Sequence, residues 1–136
     1  MSHRWHDGSG EFALDVDGAS REEVFAEAVA AIHDLVGGDD MGGPPVTRTI
    51  TLTAATDAEL LALWLEELVF LVETESFVPE GGEVTLAGSD LDGTVTGHRG
   101  TPRHLVKAVT YHQLAFARED AAWRAHDVLD KTLGVR

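Results

Sequence analysis

The sequence predicts an α+β fold in which two helices pack on a mainly antiparallel sheet. Two capping boxes each open an apolar run at helical spacing, β-branched stretches alternate between them, and the last third reads as strands joined by short polar turns. The 136 residues form one domain, 1–136. A chain of that size buries roughly two-thirds of the surface its unfolded form exposes, enough for a single core.

Taken in order, Phe12, Leu14 and Val16 alternate with polar neighbours and predict a half-buried strand. Ser20-Arg21-Glu22-Glu23 is a capping box, with the Ser20 hydroxyl accepting from an early N–H and Glu23 reaching back to the cap. Val24, Phe25, Ala28, Ile32 and Leu35 then repeat at helical spacing until Gly37-Gly38 supplies the stop. Residues 37–45, rich in Gly and Pro, read as a loop, and residues 46–53 as a half-buried strand. A second box, Thr56-Asp57-Ala58-Glu59, opens a helix whose Leu60, Leu61, Trp64, Leu65, Leu68, Val69 and Val72 make a broad apolar surface, with Glu66-Glu67 on the wet side.

Residues 83–86 and 92–97 read as short strands around Gly88-Ser89-Asp90-Leu91-Asp92-Gly93, where Asp-Gly favours a hairpin. The acids of that segment lack the bidentate glutamate of a calcium loop at the right spacing, so it is a turn. From Leu105 to Phe116 the chain is β-branched and aromatic enough for one long strand, which Arg118, Glu119 and Asp120 end. The apolar pattern resumes at Trp123, Ala125 and Val128. A hairpin of these two stretches brings Lys107 near Asp130.

Acidic residues number 24 against 10 basic ones, a formal net charge of −14, and Lys107 and Lys131 are the two lysines. Such a field repels polyanions, so direct nucleic-acid binding is not expected and a role near RNA would run through a protein partner. The acidity fits a halophilic, salt-rich cytoplasm, where salt screens self-repulsion. The sequence has no cysteine, which leaves carboxylate and imidazole as metal ligands. No pair among His98, His104, His112 and His126 has HxH or HxxxH spacing, so a zinc site is weakly supported. No run approaches the roughly 20 apolar residues of a membrane span, and the start lacks an apolar signal core, so cytoplasmic residence is expected. No phosphate loop or nucleophile elbow appears.

The string VKAVTYH at residues 106–112, followed by Val128-Leu129-Asp130, resembles the archease family, small activators of the RtcB-type tRNA-splicing ligase. Asp15-Val16-Asp17-Gly18-Ala19-Ser20-Arg21-Glu22-Glu23-Val24-Phe25 is similar to that family's strand-turn-helix passage, and residues 60–79 to its second helix and the loop after it. The resemblance implies the same fold and a site drawn from both ends of the chain. The family's first aspartate, in an HTAD(V/I) string, falls on Glu11 when counted back from Gly18 without gaps, and its HTA on Gly8-Ser9-Gly10. A gap of two would instead make His6 the counterpart of the histidine. The ungapped register agrees better with Phe12, Leu14 and Val16.

The second aspartate is Asp130, and the lysine of the motif is Lys107. Relatives commonly end one residue beyond that aspartate, whereas here Lys131 follows with its backbone carbonyl. The resemblance thus implies a metal site of Glu11, Asp130 and Lys131, with Lys107 and His112 facing a partner. An oxygen-only set with Glu in place of Asp suits an adaptable Ca²⁺ shell better than a strict Mg²⁺ octahedron, with Mg²⁺ or Mn²⁺ as the other candidates. His126-Asp127 would lie beside Asp130 and tune its charge.

The implied function is an activator without chemistry of its own, which promotes guanylylation and multiple turnover of an RtcB-type RNA ligase. The alternatives are a chaperone-like binding module for a tRNA-modifying enzyme such as a methyltransferase, and a divergent paralogue without the activator role. An independent metal-dependent hydrolase would lack a nucleophile or base.

Overall fold

The computed structural model describes residues 1–37, 39–102 and 106–131, with the backbone alone at 39–41, 107 and 131. Gly38, His104, Leu105 and the side chains of Lys107 and Lys131 lie outside the described set. The elements run β1 (Ser2–Gly8), β2 (Glu11–Gly18), α1 (Arg21–Val36), β3 (Asp39–Thr53), α2 (Asp57–Glu75), β4 (Phe77–Ala87), β5 (Asp90–Thr101), β6 (Val106–Val109), β7 (Ala115–Glu119) and β8 (Ala122–Lys131).

Both capping boxes form. Ser20 Oγ accepts from the Glu23 N–H at 3.2 Å, while Glu23 Oε1 accepts from the N–H of Ala19, one residue before the cap. Thr56 Oγ1 accepts from the Glu59 N–H at 3.1 Å and its hydroxyl donates back to the Glu59 carboxylate. A bidentate Arg21–Asp57 ion pair ties the two helix starts together.

The strands form two antiparallel sheets where one was expected. One has the order β1-β2-β8-β6, with β7 also paired to β8, and the other the order β3-β5-β4. The helices lie between them. Helix α1 packs on β4 of one sheet and on β1 and β2 of the other, and α2 contacts β3, β4, β6 and β7. Trp64, fully buried, donates its indole N–H to the Phe25 carbonyl at 3.0 Å and fastens the two helices. No helix among the described residues is long and apolar enough to cross a membrane.

Several expectations from sequence are corrected. A whole strand, β1, precedes the first one expected. The Gly/Pro-rich stretch is not a loop: from Asp39 it belongs to β3, an edge strand whose register shifts between Asp39 and Gly42 and again between Gly42 and Val46. Edge position and bulges are what let Pro44 and Pro45 sit in a strand. No loop follows α2 either, because Ser76 turns the chain in a left-handed conformation (φ 51°) and β4 begins at Phe77.

The β4–β5 hairpin turns at Gly88-Ser89, with Gly88 at φ 62°, the positive angle a type II′ turn requires at its first central residue. The Asp92-Gly93 pair instead lies inside β5, where Trp64 leaves no room for a Cβ on residue 93. The expected long strand of residues 105–116 is broken by the segment 110–114, giving β6 and β7 in succession along one edge of β8.

Candidate functional site at the end of the β2–β8 pair

Strand β2 alternates cleanly, with Phe12, Leu14 and Val16 buried toward the helices and Glu11, Ala13, Asp15 and Asp17 on the outer face. Its antiparallel register with β8 pairs Glu11 with Asp130, Phe12 with Leu129, Leu14 with Asp127 and Asp15 with His126. Directly opposed residues share a face, so Glu11 and Asp130 emerge side by side on the outer surface. Glu11 is exposed and Asp130 partly so. On Glu11's other flank stands Gly8 of β1, which brings no side chain of its own.

Asp130's other flank is β6. Ala108 pairs with Asp130 and Val106 with Lys131, and the irregularity between Val106 and Ala108 falls at Lys107. The backbones of Glu11, Lys107, Asp130 and Lys131 thus gather at one end of three adjoining strands. His112 stands apart from them, exposed on the 110–114 segment. Its N–H donates to Thr110 Oγ1 at 3.1 Å, and the Thr110 hydroxyl donates to the Val128 carbonyl at 2.7 Å.

Two cross-strand carboxylates with a backbone carbonyl next in the chain form an all-oxygen donor set. Such donors would suit a hard divalent cation, with water completing its shell. Among the described residues no group of three or more His, Asp or Glu converges in the manner of a closed protein cage.

The expected link between His126 and Asp130 is not what the strand makes. His126 Nδ1 pairs with Asp15 Oδ1 at 2.7 Å, and His6 Nε2 with Asp15 Oδ2 at 3.0 Å, so one carboxylate bridges two imidazoles on the outer face. Burial alone would raise the Asp15 pKa, but the hydrogen bonds and charges of His126 and His6 outweigh it and hold it below the ordinary value. His6, the alternative under the gapped reading, is therefore committed to Asp15.

Asp127 faces the opposite way from Asp130, into the core beside Leu14. It is fully buried; Oδ1 accepts from the Val128 N–H at 2.7 Å and Oδ2 has no hydrogen-bond partner among the described residues. Burial pushes its pKa up to about 7, with Glu66 adding to the rise. The apolar positions expected here from sequence were Trp123, Ala125 and Val128. The parity of Trp123, Ala125 and Leu129 was the available sign that residue 127 points inward.

The fold and site together define a small α+β domain, helices held between two antiparallel sheets, that presents a pair of carboxylates at an open sheet end. The sequence pattern of the Archease protein family matches residues 5–130, and the chain belongs to that family. It is similar to a protein archease of Methanopyrus kandleri, 35% identical over 118 residues that span 80% of this chain and 84% of the relative. The solution structure of a Methanobacterium thermoautotrophicum protein matches with a TM-score of 0.76 at 26% identity, covering 94% of this chain and 97% of that one. The crystal structure of an archease, possible chaperone, from Thermotoga maritima matches at 0.68 and 18% identity over 93% and 94%, a likeness of fold.

Proposed function

We propose that this protein is an accessory factor that promotes guanylylation, and so multiple turnover, of an RtcB-type RNA ligase. The carrying observation is the Glu11–Asp130 pairing on the outer face, adjoining the Lys107 irregularity in β6. Family membership supports an accessory role, and so does the description of the Thermotoga protein as a possible chaperone.

In this reading Glu11, Asp130 and the Lys131 carbonyl hold a divalent cation, Ca²⁺ by preference. Bound there, the ion supplies positive charge against the triphosphate in the ligase's nucleotide pocket. Glu11 and Asp130 fix where that charge sits on the outer face, and Lys107 adds a second cation from the neighbouring strand. The protein contributes position and charge, and the covalent chemistry stays with the ligase.

The test uses the purified ligase with and without this protein. Asp130→Ala should abolish multiple turnover while leaving a single round by pre-guanylylated ligase unchanged; retained multiple turnover would remove the site from the mechanism. The description of the Thermotoga relative favours one other reading, a chaperone-like module for a tRNA-modifying enzyme. That module would form a stoichiometric complex indifferent to chelator, so pull-down with and without EDTA separates the two.

A further inference from the structure

Glu66, Val69, Phe70 and Glu73 recur at steps of three and four along α2 and share one stripe of the helix. Ala108 and Val109 of β6 stand opposite, and the two elements enclose a groove of about 250 Å³. Its lining is mostly apolar, with Glu66 and Glu73 as the acidic members.

Phe70 is 56% exposed and Tyr111, two residues beyond β6, is 54% exposed. Among the described residues Met1 is the one other large hydrophobic side chain left in water. Phe70 lines the groove and Tyr111 follows Val109 by two residues; burial, and then the charges of Glu66 and Glu59, push the Tyr111 phenol above its ordinary value. Strand β6 ends the order of its sheet and, among the described residues, pairs with β8 alone, so its second edge can meet another chain.

We infer that this groove docks a segment of a protein partner in which an aliphatic or aromatic side chain is flanked by lysines or arginines. Charge selects the occupant. A second copy would bring the same glutamates and another −14 charge, and a nucleic acid or anionic lipid surface would be repelled in the same way. A cationic amphipathic segment instead covers Phe70, Tyr111 and Val69 while its basic groups meet Glu66, Glu73 and Glu59. Because β6 also carries Lys107 and pairs with β8 at Asp130, a partner held here sits at the sheet edge next to the strand end that carries Asp130. The inference deepens the accessory reading and rests on it for the nature of the partner.

The test is an amide NMR titration of the full chain with a short peptide alternating leucine and lysine, beside a control alternating serine and lysine. The leucine peptide should shift amides of residues 66–73 and 106–111, and Phe70→Ser or the double variant Glu66→Gln/Glu73→Gln should weaken it about tenfold. These positions are on the surface, so circular dichroism should show an unchanged fold. Equal shifts with the serine peptide, shifts spread over the whole acidic surface, or unchanged affinity in the variants would overturn the docking site.

A second arm measures binding of the RNA ligase by calorimetry. The groove variants should lose about tenfold in affinity while Glu83→Gln, an exposed acid on β4 outside both the groove and the carboxylate pair, retains it. Ligase binding that is equal in the groove variants and the unaltered protein overturns the groove as the partner's seat. Absence of any ligase binding by the unaltered protein counts against the ligase reading instead, and the peptide arm then decides the groove.

Discussion

Glu11 and Asp130 are direct cross-strand partners, two carboxylates from opposite ends of the chain on one face of the same sheet. Like charges so placed are destabilising by roughly 0.2–1 kcal/mol, and a bound cation reverses the sign of the arrangement. Ca²⁺ at a hundredfold excess over its dissociation constant should therefore raise stability by about 2.7 kcal/mol. Asp130→Asn should abolish that gain and, in chelator, leave the fold as stable as before or slightly more so. Thermal melts in Ca²⁺ and in EDTA check this, and an equal Ca²⁺ response in both proteins would refute the site.

A second electrostatic arrangement fastens β1 to α1. His3 Nδ1 meets Glu27 and Nε2 meets Asp34, each at 2.5 Å. Burial alone would lower the imidazole pKa, but the hydrogen bonds and charges of the two acids outweigh it and hold it above 6.5. A raised histidine pKa stabilises the fold fully below the unfolded value, and that stability is lost as pH rises through the folded one. With the exposed Asp34 screened by solvent, His3→Gln should thus cost about 0.5–1 kcal/mol at pH 5.5 and clearly less at about pH 9. Urea unfolding at the two pH values measures the difference, and equal losses would rule out the charged pairing.

The parts of this architecture legible in sequence are those fixed by local chemistry. Both helices were readable because Ser20 with Glu23 and Thr56 with Glu59 mark their starts and the apolar repeat follows at once. The register of β2 was readable because Phe12, Leu14 and Val16 can face only the core, and that parity places Glu11 outward. Asp130 then needed only the β8 pairing. Less local features escaped. Gly and Pro content made a loop of residues 37–45 because composition does not reveal that β3 lies at a sheet edge. The parity of β8 was obscured by Val128, which is buried although it alternates in step with Asp130 rather than with Asp127, and this hid both the inward turn of Asp127 and the His126–Asp15 contact. The division into two sheets depends on which distant strands pair, and short-range patterns do not encode that.

Gly93 shows how packing overrides turn chemistry. A Cβ there would lie 2.6 Å from Trp64 Cζ3 and 2.7 Å from Cη2, and Trp64 is fully buried. Gly93→Ala should destabilise the fold by about 1–3 kcal/mol through overpacking. In a Trp64→Leu background, already weakened by loss of the indole, the same change should cost much less. A double-mutant cycle on unfolding free energies tests the coupling, and strict additivity would mean the two sites do not clash.

Asp127 carries the clearest pH signature in the fold. Its carboxylate is fully buried beside Leu14, with a pKa of about 7 against an ordinary 3.8. Here an acid is raised, so between those two values the folded state holds a proton that the unfolded chain has released. Its contribution to stability therefore falls as pH rises from near 4 to near 7, by up to about 1.4 kcal/mol per pH unit. Above pH 7 the folded chain carries a buried charge with one oxygen unpaired, a penalty on the order of 4 kcal/mol relative to the unfolded state. Asp127→Asn keeps the shape and removes the titration. It should match the unaltered protein to within about 1 kcal/mol at pH 4.5 and exceed it by about 2–4 kcal/mol at pH 8.5. Denaturant midpoints across that range decide the matter, and a variant that tracks the unaltered protein at every pH would show that Asp127 does not titrate in the fold.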